Sequence, residues 1–203
     1  DTLMPHIETA LRMARVKKDE LAGVAVSIGP GSFTGLRIGL AAAKMMSYAL
    51  RIPMVGVPTL EALAYHCMWE GVRLVPMMDA QKGNVYTEEF AWTWESGKPV
   101  LHSVCPLRIL PRDALVASLA GTEKTVLLMG DAMQKAADEP LPAGVRLAPI
   151  HMRMPRAACV GLAGLARLAR DAADDAMTLE PLYLRRSEAE VLWEKRHGAE
   201  QAV

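Results

Sequence analysis

Leu3, Ile7, Ala10, Leu11 and Ala14 recur at the three- and four-residue spacing of one helix face, which predicts an amphipathic helix over residues 3–17. Val24-Ala25-Val26-Ser27-Ile28 is an almost unbroken apolar run and predicts a buried strand. Residues 34–51 form a second helix of a different kind. Between Leu36 and Leu50 only Arg37, Lys44, Ser47 and Tyr48 interrupt the apolar positions. Leu36, Leu40, Ala43 and Met46 line one side, while Ile38, Ala41, Ala42, Met45 and Ala49 occupy others. A helix that is apolar nearly all round must be buried nearly all round. A sheet covers one side. Either the rest of the same lobe or a second protein covers the remainder, and Gly35, Gly39, Ala42 and Ala43 are small enough to admit a close helix.

Pro53–Val57 is a further short strand, so the strand–helix–strand unit predicts a parallel, right-handed crossover. Thr59 is placed to cap a third helix running to about Trp69, with Glu61 near its positive end. Gly71 marks a boundary. Leu74–Asp79 and Asn84–Trp94 read as strands joined at Ala80–Gly83, with Val100–Pro106 as a third. Pro111–Leu119 is a short helix, Thr125–Met129 a buried strand, and Ala137–Gly144 a loop. Pro155–Ala172 is a long helix whose apolar face holds Cys159, Leu162, Leu165 and Ala169. Ser187 and Glu190 have capping-box spacing for a last helix.

Between the first strand and the second helix stands Gly29-Pro30-Gly31-Ser32-Phe33-Thr34-Gly35-Leu36. Three glycines and a proline let the backbone turn sharply, and the helix start aims unpaired N–H groups outward. The run is neither Gly-x-Gly-x-x-Gly nor a phosphate loop closed by Lys-Ser/Thr. On geometry alone it is either a structural turn or an anion-binding one.

Composition narrows the class. A chain of 203 residues, 51% apolar, has ample material for a core. Its formal charge is zero, whereas a chain that grips nucleic acid alone carries a basic excess. Cys67, Cys105 and Cys159 are odd in number and far apart, which fits buried thiols in a reducing compartment, and the expected location is cytoplasmic. No apolar run is long enough to cross a membrane.

The string GPGSFTGLRIG, then IPMVGVPTLEALA, MMDAQKGNVY and EPLYLRRSEAE, in order from about residue 29 to 190, resembles the TsaB (YeaZ) family. That family belongs to the bacterial machinery that makes threonylcarbamoyladenosine in transfer RNA. The resemblance implies an α/β chain of the actin-like ATPase (ASKHA, ribonuclease H-like) fold with two lobes. Residues 1–70 would be the N-terminal lobe, 71–186 the C-terminal lobe, and 187–203 a terminal helix and tail. It also implies about three strands ahead of residue 1, so the N-terminal lobe is expected to lack its first strands here. It further implies a non-catalytic scaffold that supports TsaD, the enzyme that modifies adenosine 37 of transfer RNAs reading codons beginning with A. The partner surface would be the first two helices, with Leu3, Ile7, Leu11, Arg37, Ala42 and Met45 as contact candidates. The same helices would pair two copies in isolation. TsaE would join the complex, transfer RNA would be touched indirectly, and no membrane is involved.

Chemistry is sparse. Gly31 and Ser32 in the glycine turn, Asp79 at a strand end and Asp131 after Gly130 are the candidates for holding a nucleotide. The simpler readings are a turn cap for Asp79 and a helix cap for Asp131. ATP or ADP with magnesium would be held by, or shared with, the partner. The turn at Ala80–Gly83 has one glycine, and Gln81 and Lys82 add bulk where a second phosphate turn would sit. Histidines 6, 66, 102, 151 and 197 include no pair three or four apart, unlike the His-x-x-x-His pair of TsaD. Tyr86, Phe90, Trp92 and Trp94 alternate on one strand, to stack on bases or pack on a helix, and Glu88, Glu89 and Glu95 would repel phosphates. Arg185, Arg186, Lys195 and Arg196 form a basic cluster. The rival readings are an ATP-dependent kinase or acyltransferase of the same fold, and a peptidase acting on TsaD. No triad, metal pair or Gly-x-Ser-x-Gly elbow supports the latter.

Overall fold

The computed structural model describes residues 2–136 and 139–184. The helix expected after Ser187 and the cluster at 185, 186, 195 and 196 lie outside them. Strand β1 (Val24–Gly29) pairs in parallel with β2 (Met54–Pro58), Val24 opposite Met54 and Val26 opposite Gly56. Helix α2 (Phe33–Leu50) makes the crossover, after α1 (Leu3–Ala14) has ended at the left-handed Arg15. Side chains on the two strands alternate between faces. Val24, Val26 and Met54 meet Leu40 and Ala43 of α2, while Ala25, Val55 and Val57 meet Val160 and Ala163.

Those last residues belong to α5 (Ala157–Leu168), so this helix returns to the first sheet. It is rotated relative to the expected face. Cys159, Val160, Ala163 and Gly164 are buried, whereas Leu162 and Leu165 are exposed. Close approach explains the rotation: a Cβ on Gly164 would lie 2.4 Å from the Ala25 Cβ. The helix axis comes nearer to β1 than a leucine there would permit.

The second sheet has the order β5-β4-β3-β6-β7, made of β3 (Val72–Asp79), β4 (Asn84–Glu95), β5 (Lys98–Pro111), β6 (Thr125–Met129) and β7 (Val145–Leu147). The first three strands form an antiparallel meander, and β6 and β7 run parallel to β3 and to each other. The β7 strand follows what reads in the sequence as proline-rich loop. On one face, Val75, Met77, Val85 and Val126 pack on Leu115 and Leu119, in and just after α4 (Arg112–Ser118). On the other, Leu74, Phe90 and Trp92 pack on Leu60, Leu63 and Ala64.

Those three lie on α3 (Thr59–Ala64), which is shorter than the predicted 59–69. It is buried on both sides because Ala62 also joins the core of the first sheet. Thr59 is not its cap: Pro58 holds that position, and the Thr59 hydroxyl is 2.7 Å from that of Ser27. Glu61 pairs with Arg167, whose Nη1 donates to the Gly56 carbonyl at 2.7 Å, tying α3, α5 and β2 together. Burial pushes the Glu61 carboxyl up, with Arg167 opposing it.

Candidate functional site

Two faces of α2 have different fates. Leu40, Ala43 and Ser47 are buried against the sheet, at i, i+3 and i+7. Gly39 also faces inward, since a Cβ there would stand 3.9 Å from Val26. On the far side Ile38, Met45 and Tyr48 are 54%, 65% and 79% exposed, and Ala41 lies among them. Three large apolar side chains at helical spacing on one exposed stripe form a contiguous patch, not scattered surface residues. Beside it Lys44, Met45, Tyr48, Ile52, Ala176 and Met177 line an open concavity of about 710 Å³.

Helix α1 does not cover this stripe. None of its residues is buried; Ile7 and Leu11 are half-buried, and Leu3, Met4 and Met13 are exposed. Of the candidate contact residues, Met45 and Arg37 lie on the exposed side of α2, and Ala42 is half-buried at its margin. The stripe members Ile38, Ala41 and Tyr48 are additions. Their signal is the spacing 38, 41, 45 and 48, hidden because the opposite face is equally apolar.

The glycine turn is built from structural contacts. Ser32 caps α2, its Oγ accepting from the Gly35 N–H at 3.4 Å. A Cβ on Gly29, whose φ is +116°, would lie 3.0 Å from the Leu182 carbonyl oxygen. The Leu182 N–H donates to the Ile28 carbonyl at 2.7 Å. Tyr183 packs on Phe33 with ring centroids 4.8 Å apart and accepts a hydrogen bond from Arg37 Nε. The chain's own segment 182–183 thus occupies the space beside the turn, and Gly31 is exposed next to it.

Asp79 and Asp131 do come together. Asp131 Oδ1 accepts from the Asp79 N–H at 3.1 Å, and Asp79 Oδ1 accepts from the Gln81 N–H at 2.7 Å. The first bond corrects the helix-cap reading of Asp131, and the second makes Asp79 the cap of its own turn. Gln81, Lys82 and Gly83 all take positive φ there. Each carboxylate accepts one backbone N–H through its Oδ1. Among the described residues no three His, Cys, Asp or Glu side chains are placed to share a metal ion. No helix of the described residues is long and apolar enough to cross a membrane.

Glu89 is not a surface charge. It is 1% exposed and bridges Arg73 and Arg108 across the sheet. Trp92 packs edge-on to Tyr65 and donates from Nε1 to the Ala64 carbonyl, while Trp94 is exposed.

A family model described as "TsaD: tRNA N6-adenosine threonylcarbamoyltransferase" matches residues 1–101. The chain is 28% identical over 193 residues to the tRNA threonylcarbamoyladenosine biosynthesis protein TsaB of Bacillus subtilis, covering 94% of this chain and 81% of that one. It is 32% identical over 199 residues to an uncharacterised protein of Mycobacterium tuberculosis, covering 95% and 77%. Its fold resembles that of YeaZ from Pseudomonas aeruginosa, with a TM-score of 0.72 at 22% identity, covering 90% and 83%.

Proposed function

The chain belongs to the TsaB (YeaZ) family, and from that premise we propose that it serves transfer RNA threonylcarbamoylation as an accessory subunit that binds TsaD. The observation that carries this reading is the exposed stripe Ile38, Ala41, Met45 and Tyr48 on a helix whose other face is locked to the sheet. Exposed apolar area of this kind costs free energy in water and is recovered when a second helix covers it. The small residues Ala41, Ala42 and Ala49 let a partner backbone approach closely. α1, with no buried residue of its own, is the second helix of the same docking face.

In this reading the chain supplies binding energy and holds TsaD in a competent form, while TsaD carries the transfer of the threonylcarbamoyl group. The actin-like, two-lobed arrangement, with residues 1–70 and 71–186 as its lobes, and the place of TsaE in the complex belong to the same proposal. Reconstitution with TsaD and transfer RNA, with and without this chain, tests it. Modification that proceeds equally without the chain would refute it.

A second reading, an ATP-dependent kinase or acyltransferase, draws on the adjacency of Asp79 and Asp131. Among the described residues no third His, Cys, Asp or Glu is placed to share a metal ion with them, which is what weighs against it. Turnover of ATP by the isolated chain, lost in Asp79→Asn, would revive it.

A further inference from the structure

The face of the second sheet that α4 packs on is apolar at one end only. Val75, Met77 and Val85 lie against Leu115 of that helix. Further along the same face, strand alternation brings up Glu89, Ala91 and Thr93 of β4. Arg73 of β3 and His102 of β5 stand on either side of Ala91, and Cys105 and Arg108 of β5 stand opposite Glu89 and Thr87. Arg73, Arg108 and His102 reach solvent, with side chains 32%, 38% and 45% exposed. Ala91 is the short residue in this row, so the surface dips between Arg73 and His102.

In the sequence Glu89 and Glu95 read as charges that repel phosphate. In the fold both are answered. Glu89 accepts from Arg73 Nε and Nη2 and from Arg108 Nη2, and the bridge leaves Nη1 of each guanidinium unused. Glu95 Oε1 lies 3.0 Å from His102 Nε2, and Glu95 stands opposite Lys98 in the register. Arg73, Arg108 and Lys98 against Glu89 and Glu95 leave this end of the face with a positive excess. The buried carboxylate also fixes the two guanidiniums in advance, so they lose little freedom when an anion arrives.

Resting on the reading that the chain serves transfer RNA threonylcarbamoylation, we infer that this polar half of the β3, β4 and β5 face is a contact for the phosphate backbone of transfer RNA, with Arg73, Arg108 and Lys98 as its donors. Phe90 and Trp92 pack on the opposite side of the sheet against α3, so no base stacks on them here and the contact is independent of base sequence. A protein partner would find no large apolar anchor between Arg73, Ala91 and His102. The formal charge of zero fits a local contact of this size, shared with a partner that holds the rest of the RNA.

Alkylation of Cys105 by N-ethylmaleimide, followed by mass spectrometry on the full chain at about 50 mM NaCl, reads occupancy of the face. Cys67 and Cys159 are buried, and Cys105 is only half-buried. Transfer RNA is expected to slow the reaction at Cys105 about fivefold, and the protection is lost at about 500 mM NaCl. Ala91→Lys tightens transfer RNA binding about threefold and Ala91→Glu weakens it about threefold, both with unfolding midpoints close to wild type. Opposite signs at one position cannot come from misfolding, which lowers both affinities. Equal affinity in wild type, Ala91→Lys and Ala91→Glu would overturn the inference. Equal protection by inorganic phosphate at the same total phosphate concentration would overturn the assignment to RNA. Protection by TsaD without RNA would overturn it and give the face to a protein. Absence of transfer RNA protection, with TsaD binding retained, removes this inference alone. Absence of TsaD binding removes the accessory-subunit reading, and Cys105 alkylation still decides the RNA contact.

Discussion

Arg37 Nε donates a 2.9 Å hydrogen bond to the Tyr183 hydroxyl, joining the first turn of α2 to a residue 146 positions later. With the Leu182 N–H bonded to Ile28, this clasp seats segment 182–183 beside the glycine turn. Tyr183→Ala removes both the ring packing on Phe33 and the hydroxyl acceptor. Both partners are exposed, so global stability falls by only about 1 kcal/mol. Amide hydrogen exchange at Leu182 accelerates several-fold, while that at Val24, bonded to Pro53, is unchanged. Equal acceleration at both amides would show that the clasp is not a separate unit.

Gly130 is irreplaceable for two reasons. Its φ is +101°, and a Cβ would lie 2.1 Å from the Met77 carbonyl oxygen. Backbone cannot swing away as a side chain can. Gly130→Ala costs at least about 3 kcal/mol in urea unfolding. Gly71→Ala is the control: its φ is +80°, nothing lies within 4 Å, and it costs about 1 kcal/mol. Equal costs would contradict the close crossing of β3 by the turn after β6.

Glu89 holds two guanidiniums with one carboxylate. Glu89→Gln keeps the shape and removes the charge, leaving Arg73 and Arg108 to repel each other. Both arginines are about one-third exposed, so water offsets part of the loss, and the expected destabilisation is about 2–3 kcal/mol. Additional loss of the Arg73 charge in Arg73→Met/Glu89→Gln recovers part of it. Additive losses in the double-mutant cycle would contradict the bridge.

Burial holds the His66 imidazole below its usual pKa; the Leu63 carbonyl bonded to Nδ1 opposes the shift, and Arg156 and His151 add to it. In the folded state the proton is bound less readily than in the unfolded chain. Between the depressed value and about 6.5 the unfolded state therefore holds more protons, and stability rises with pH. His66 contributes stability above about pH 6.5 that is lost as pH falls through this window. Urea midpoints from about pH 5 to 8 check this: the wild type loses stability towards acid, and His66→Gln flattens that part of the profile. An unchanged slope would assign it to other groups.

What was legible in the sequence and what was not divides along physical lines. The strand at Val24–Gly29, the long helix after it and the β3–β4 turn are set by local pattern and by glycine, and each lies where the pattern puts it. Helix rotation is not local. Nothing in Ala157–Leu168 says that Gly164 must face Ala25, because leucines and small residues share the helix and contact distance decides between them. Thr59 reads as a cap, yet its hydroxyl is claimed by Ser27, 32 residues earlier. Glu89 reads as a surface charge because its arginine partners come from two other strands. On α2 the same ambiguity hid the exposed stripe, and Ala43, small enough for a partner helix, is packed against the chain's own sheet.

That distinction supplies the most direct measurement of the central claim, which is the association of purified chain and TsaD by calorimetry or co-elution for substitutions on opposite faces of α2. Met45→Glu and Ile38→Glu sit on the exposed stripe and are expected to leave the unfolding midpoint almost unchanged, within about 0.5 kcal/mol, while abolishing the complex. Ala43→Glu, buried against β1, is expected to disrupt the fold itself. A complex of undiminished affinity with Met45→Glu and Ile38→Glu, both properly folded, would contradict the assignment of this face to TsaD.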